Sequence, residues 1–250
     1  MKFVLYIVAC CTFSLASHAG QDDEILSPHH REHQQSARDG IVELRFGPYL
    51  PLVDSDPALR GATPFRDFFG TTPRVLVGLQ VDWQAYRVKK WGSIGPGISA
   101  SYTQFSGKAR LQRDPTKESQ DQTSLSVYPL TGVAVLRLDA LHEQLSVPLQ
   151  LYAKGGIATA YWRATGPDGV YEINGKTSSG MTWGTRFALG AGFQLDFLDP
   201  LTAARFDESS GVNHTYLFWE YGVSTLNGLS SDPVMRLGSK DWSAGIAFEF

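Results

Sequence analysis

Cysteine is nearly absent from this chain. Cys10 and Cys11 are the only two, and both lie in the opening stretch "MKFVLYIVACCTFSLASHAG". That stretch places one cation, Lys2, before an apolar run from Phe3 to Ala16, followed by Ser17-His18-Ala19 and Gly20. A charged start, an apolar middle and a small-residue cleavage site form the layout of an export signal over residues 1–19. Cleavage removes both cysteines, so the mature chain is expected to have no disulfide, no thiolate nucleophile and no cysteine metal ligand. An exported chain without such staples must be held by its fold. Two other readings of the opening stay open. A retained membrane helix would be short and broken by Cys, Thr and Ser. A lipoprotein is the other, because Ile7-Val8-Ala9-Cys10 loosely resembles a lipobox.

An excess of charge is also missing. Lys and Arg number 22 against 25 Asp and Glu, a net of −3, too little to indicate nucleic acid as a partner. No span has a helical period of useful length. No glycine-rich phosphate loop occurs either; the Gly-x-Gly pairs sit inside strand-like segments, and no cofactor is expected.

What is present is alternation. Residues 20–40 are polar and aperiodic and read as a disordered periplasmic leader. From Ile41 onward apolar and aromatic residues alternate with Gly, Ser, Thr and single charges, in segments separated by Gly, Pro, Asp and Ser. Eight strands are expected: 41–50, 74–86, 93–105, 124–138, 149–162, 182–197, 214–225 and 238–250. The second is the clearest, with Val75, Val77, Leu79, Val81 and Trp83 opposing Gly78, Gln80, Asp82 and Gln84. In the fourth, Pro129 is expected at a bulge or edge because it cannot donate to a ladder.

Such alternation fits a soluble barrel or sandwich with its apolar face inward, or a membrane barrel with that face outward. The accompanying residues decide. The polar face of the sixth strand runs Gly184, Arg186, Ala188, Gly190, Gly192, Gln194, Asp196, and small residues with single charges suit a crowded interior. With the first strand starting on the periplasmic side, Trp83, Phe193, Phe197, Phe248 and Phe250 fall at one rim and face outward. Tyr102, Tyr161, Trp183 and Trp242 fall at the other, so two aromatic girdles are expected. The outer loops, 51–73, 106–123, 163–181 and 227–237, are longer than the inner turns, except for "DPLTAARFDESSG", which predicts a short helix after Pro200 ending at Gly211. The expected fold is an all-β, eight-stranded, antiparallel up-and-down transmembrane β-barrel over residues 41–250.

The final segment "WSAGIAFEF" resembles the signal that the barrel-insertion machinery reads in bacterial outer-membrane β-barrels, with Phe250 as its last residue. More narrowly, "VELRFGPYLP", "VGLQVDWQ", "GSIGPGISASYT" and "LDPLTAARFDESSGVNHTYLFWE" resemble a family of predicted outer-membrane barrels best represented in myxobacteria. The resemblance implies location in a Gram-negative outer membrane with both termini periplasmic. Its expected partners are membrane lipid, lipopolysaccharide and the insertion machinery. The family has no agreed activity.

By parity Glu43, Arg45, Asp82, Lys154, Arg186 and Glu220 face the lumen, with Arg45 and Asp82 on adjacent strands, as are Arg186 and Glu220. Charges there require partners, and the expectation is a salt-bridge network filling a closed barrel; a gated solute path lined by the same charges is the alternative. Acyl-transfer chemistry at the outer rim would need a Ser with a His base. His29, His30 and His33 sit in the leader, His142 in an inner turn and His214 at the periplasmic end, so no enzyme is expected. The "HHREH" run is read as solvated rather than as a metal site. The second outer loop mixes Lys108, Arg110, Arg113 and Lys117 with Asp114, Glu118 and Asp121; it is read as a solvated loop, with contact to lipopolysaccharide phosphates as the alternative. What the loops bind is left open.

Overall fold

A computed structural model describes residues 39–88, 91–111, 114–140, 147–166, 169–170, 172–173, 176–228 and 234–250. The export signal, nearly all of the leader with its three histidines, and His142 lie outside them. Eight long strands run β1 Gly40–Tyr49, β2 Arg74–Trp83, β3 Gly92–Leu111, β4 Asp114–Leu138, β5 Leu149–Gly166, β6 Ser179–Gln194, β7 His214–Ser224 and β8 Ser239–Glu249. Each pairs antiparallel with the next, and β8 pairs with β1, so the sheet closes on itself and keeps no free long edge. The closing seam is completed by Phe250: its N–H donates to the Gly40 carbonyl at 2.8 Å and its carbonyl accepts from Asp39 N–H at 2.7 Å. Both ends of the barrel therefore meet at one rim, here the terminal rim.

The period of two sets which face is buried, and the burial is inverted relative to a soluble barrel. On β2, Val75, Leu79 and Trp83 are 65%, 50% and 62% exposed, whereas Gln80 and Asp82 are 2% exposed. The same inversion holds on β6, where Phe187 and Leu189 point out and Gln194 points in. Polar side chains fill the inside and apolar ones coat the outside, which is the distribution of a barrel immersed in lipid. Among the described residues no helix is long and apolar enough to cross a membrane; strands do the crossing.

Strand length is uneven. β1, β2, β7 and β8 have 10 or 11 residues, about what a tilted strand needs to span the hydrocarbon. β3 to β6 have 16 to 25 and project past the far rim. This corrects the expectation of a loop over 106–123: the β3–β4 ladder continues through Ser106↔Ser124 and Lys108↔Gln122, then shifts register on either side of Arg110. It also shortens the expected 163–181 loop, since β5 runs to Gly166 and β6 starts at Ser179. Outside the membrane both faces of a hairpin are wet, so the apolar–polar period that marks the lower strand disappears there. Pro129 lies at no bulge. Its missing N–H falls where the β3–β4 ladder lapses between Ala100↔Leu130 and Thr103↔Val127, with register kept.

Helices are described in two of the connections. In the 50–73 connection, Asp54 accepts from Phe65 N–H and Arg66 N–H at 2.8 and 2.9 Å, closing the start of helix α1, Pro64–Phe69. Helix α2, Pro200–Ser210, spans 11 residues. Asp199 caps it through Thr202 N–H at 3.1 Å, and Gly211 stops it at φ 73°.

Candidate functional site

Among the described residues, chemistry-bearing side chains converge in the lumen, which is filled in layers. At the terminal rim Glu249 accepts from Gln84 at 2.6 Å and from the Tyr216 hydroxyl at 3.0 Å, and pairs with Arg87 at 3.2 Å. Arg87 also reaches Asp139 at 3.3 Å, and Asp139 accepts from Gln150 at 2.7 Å. Beside them His214 contacts Asp196 through Nδ1 at 2.6 Å.

The middle layer holds four cations and four carboxylates. Glu43 meets Lys154 at 2.7 Å, Arg137 at 2.8 Å and Arg45 at 3.6 Å. Glu220 meets Arg45 at 2.7 Å, Lys154 at 3.0 Å and Arg186 at 3.4 Å. Asp82 pairs with Arg137 and accepts from Gln80 at 2.7 Å, and Asp241 pairs with Arg186 at 3.4 Å. Unit charges taken out of water survive when each has opposite charge and hydrogen bonds around it; here Glu43 and Glu220 each have three cations. The layer's formal charge is zero.

All six lumenal residues expected from parity sit in this layer, and Arg186 and Glu220 do pair. Asp82 takes Arg137 rather than Arg45, which pairs with Glu220 and Glu43 and also donates to Gln80 at 3.0 Å. Arg137, Asp241 and the Arg87–Asp139–Glu249 group were not anticipated. Glycines make the packing possible. A Cβ on Gly190 would lie 2.3 Å from Cζ of Tyr152, and one on Gly222 would lie 2.5 Å from Nη2 of Arg186. Tyr152 in turn lies beneath Lys154, whose Nζ is 4.7 Å from the ring centroid.

Toward the far rim the lumen turns apolar. Above the charges lies a cavity of about 40 Å³ bordered by Ser99, Thr131, Ser224 and Ser239. Beyond it Tyr49, Phe105, Leu125, Val127, Leu226 and Leu237 form a buried plug, with the Tyr49 hydroxyl donating to the Leu237 carbonyl at 2.6 Å. Helix α1 lies over this plug and contributes Phe65, which meets Phe105 edge-on at 5.1 Å between centroids.

Outside, Trp83, Phe193, Phe197 and Phe250 are exposed toward the terminal rim, and Tyr102, Tyr161, Trp183 and Trp242 toward the far rim; Phe248 is half-buried. Tyr128, which was not anticipated, bridges Tyr102 and Tyr161 at centroid distances of 5.1 and 6.0 Å, making a row of tyrosines across β3, β4 and β5. Among the described residues no group of three His, Cys, Asp or Glu side chains is placed to hold a metal ion.

No protein family matches the chain, and no curated protein does. Solved structures similar to it include Neisserial surface protein A, at 11% identity over 84% of this chain and 96% of that one, with a TM-score of 0.43. The outer-membrane protein OprG from Pseudomonas aeruginosa matches at 16% identity over 87% and 98%, with a TM-score of 0.45. Ail, the attachment invasion locus protein of Yersinia pestis, matches at 12% identity over 85% and 99%, with a TM-score of 0.37. At such values the fold rests on the barrel's own closure and inverted faces.

Proposed function

We propose that this chain is an integral outer-membrane protein of a Gram-negative envelope, non-enzymatic, acting as a structural element and presenting its long β3–β6 hairpins to a partner. The terminal rim then lies in the periplasm, and the two sets of exposed aromatics act as girdles in the interfaces. The narrower likeness to the myxobacterial-type family belongs to this reading and adds no activity. The observation that carries the proposal is an inverted barrel whose lumen is shut twice, by paired charges and by an apolar plug. A narrow solute channel would have to break both seals, and an eight-stranded barrel has little room besides its side chains.

Two measurements test it. Expressed with its signal, the protein should partition with the outer membrane, and its gel band should move on boiling. In planar bilayers the purified barrel should conduct no more than a protein-free control. Stepwise conductance would favour the channel instead, and recovery in the soluble periplasmic fraction would remove the membrane reading altogether.

A further inference from the structure

The outward face of the long strands changes chemistry at one row. On β4 it turns polar after Tyr128, with Ser126 and Ser124 next, and on β5 after Tyr161, with Arg163 and Thr165 next. Leu138 and Leu151 are ladder partners near the terminal rim, as Tyr128 and Tyr161 are at the other end, and all four are exposed. Ten positions separate Leu151 from Tyr161, and ten separate Leu138 from Tyr128, about 33 Å of strand. At a tilt of about 40° that is the ~25 Å height of the apolar band in such barrels. Arg163, two residues past Tyr161, therefore stands at headgroup level. It faces outward with Tyr161: it is exposed, whereas its chain neighbours Trp162 and Ala164 pack against the lumenal plug.

The ladder partners of Arg163 are Ser126 on β4 and Ser179 on β6, so its guanidinium stands between two hydroxyls. It pairs with no carboxylate among the described residues, and its diagonal neighbours Ser124 and Tyr128 carry no charge. A forked cation flanked by short hydroxyls matches the oxygens of a phosphate. The tyrosine row directly below it, and the apolar band below that, favour a phosphate attached to acyl chains over a free one. We infer that Arg163, Ser126 and Ser179 bind the headgroup phosphate of one outer-leaflet lipid, whose chains lie along β4 and β5 beneath the tyrosines. This rests on the outer-membrane reading above and narrows it to one site with named ligands. Lys240 supplies the contrast: it is exposed two residues past Trp242 on β8, with Val223 as its partner on β7, a charge at the same rim with no hydroxyl on that side.

The test uses the full chain, exported with its signal and extracted from the outer membrane, analysed by native mass spectrometry with added lipid A carrying its phosphates or stripped of them. One phosphorylated molecule should remain per barrel, preferred about tenfold over the stripped form, as expected for a charge-assisted contact. Arg163→Gln should lose that preference while its boiling-dependent band shift stays normal, and Lys240→Gln should keep the preference. No preference in the wild type would overturn the site, and so would a preference unchanged in Arg163→Gln. Equal losses in Arg163→Gln and Lys240→Gln would mean that any rim cation attracts the headgroups, and would overturn it too. Release of the bound lipid A by an equimolar amount of inorganic phosphate would make free phosphate the occupant and overturn the lipid. Those results, obtained on a protein that is in the outer membrane and heat-shifts, leave the membrane reading intact; a protein absent from that membrane fails the membrane reading itself.

Discussion

Arg45 on β1 and Glu220 on β7 meet at 2.7 Å although β8 lies between their strands. The residue of β8 opposite Arg45 is Gly245, so no side chain obstructs the guanidinium as it crosses the lumen, passing 5.8 Å from the Phe218 ring centroid. The contact ties the closing seam together from inside, independently of the ladder hydrogen bonds on either side of β8.

Glu220→Gln should therefore be severe. It leaves Arg45, Lys154 and Arg186 with one carboxylate fewer in a buried layer, and removing one partner of a buried pair costs about 3–5 kcal/mol. Replacing Arg45 and Glu220 together by Leu should cost less than the sum of the single changes, with a coupling of about 1–3 kcal/mol. Urea titration of the folded band in lipid vesicles reads both; strictly additive losses would show that the contact adds nothing to the seam.

The lumenal glycines make a second expectation. Gly190→Ala drives a methyl into the Tyr152 ring, which is already fixed under Lys154, and overpacking of that kind costs about 1–3 kcal/mol. Gly132→Ala is the matched control, because its nearest neighbour would be Ile157 Cγ1 at 3.9 Å; its effect should stay within about 0.5 kcal/mol. Equal unfolding midpoints for the two variants would contradict the packing described.

These two cases also mark how far the sequence could be read. Strand parity placed Glu43, Arg45, Asp82, Lys154, Arg186 and Glu220 inside because their strands have one apolar face and one mixed face. Arg137 escaped because both faces of β4 are apolar: Val133 and Val135 point into the lumen while Leu136 and Leu138 point out, which erases the period of two. The plug escaped for a different reason. Phe65 enters the lumen from a connection, and only the closure of the barrel brings it to Phe105, 40 positions away in the chain. A signal for α1 was present in Thr63-Pro64 ahead of "FRDFF", with proline at the first helical position. The β3–β4 hairpin above the membrane left no periodic trace, because water on both faces gives neither face a preference.

Acid should act on the turn after β6. Burial pushes the Asp196 carboxyl up, but the hydrogen bonds from His214, Gln194 and Thr215 outweigh it and hold the carboxyl below its ordinary value of 3.8. The unfolded chain then binds the proton more readily, so this carboxylate's stabilisation is present above that ordinary value and is lost as pH falls through the lower folded one. The stability difference between wild type and Asp196→Asn should shrink as the pH falls below about 4. A difference that widened on acidification would reverse the assignment.

Phe250→Asp separates side chain from backbone. The Gly40 hydrogen bonds run through the Phe250 main chain, so the variant can still close its seam once assembled. Its outer-membrane yield should nevertheless fall by at least tenfold if the terminal aromatic is what the insertion machinery reads. Refolding from urea into vesicles, without that machinery, should be affected far less. Normal yield in cells would show that Phe250 is an ordinary rim residue.

The two seals of the lumen can be opened separately. Phe65→Ala removes a ring that is 6% exposed and packed against Phe105, and such a truncation costs about 3–5 kcal/mol when the surroundings cannot collapse. It should loosen the plug without producing conductance, since Glu43, Glu220 and their cations still fill the section below. Glu220→Gln alone should likewise stay silent, because the plug above remains. Only the two changes together should give measurable current in planar bilayers, provided the doubly changed barrel keeps its heat-dependent band shift. Current from Phe65→Ala alone would mean that the charge layer admits water and ions between its pairs, and the structural reading of the lumen would give way to the channel.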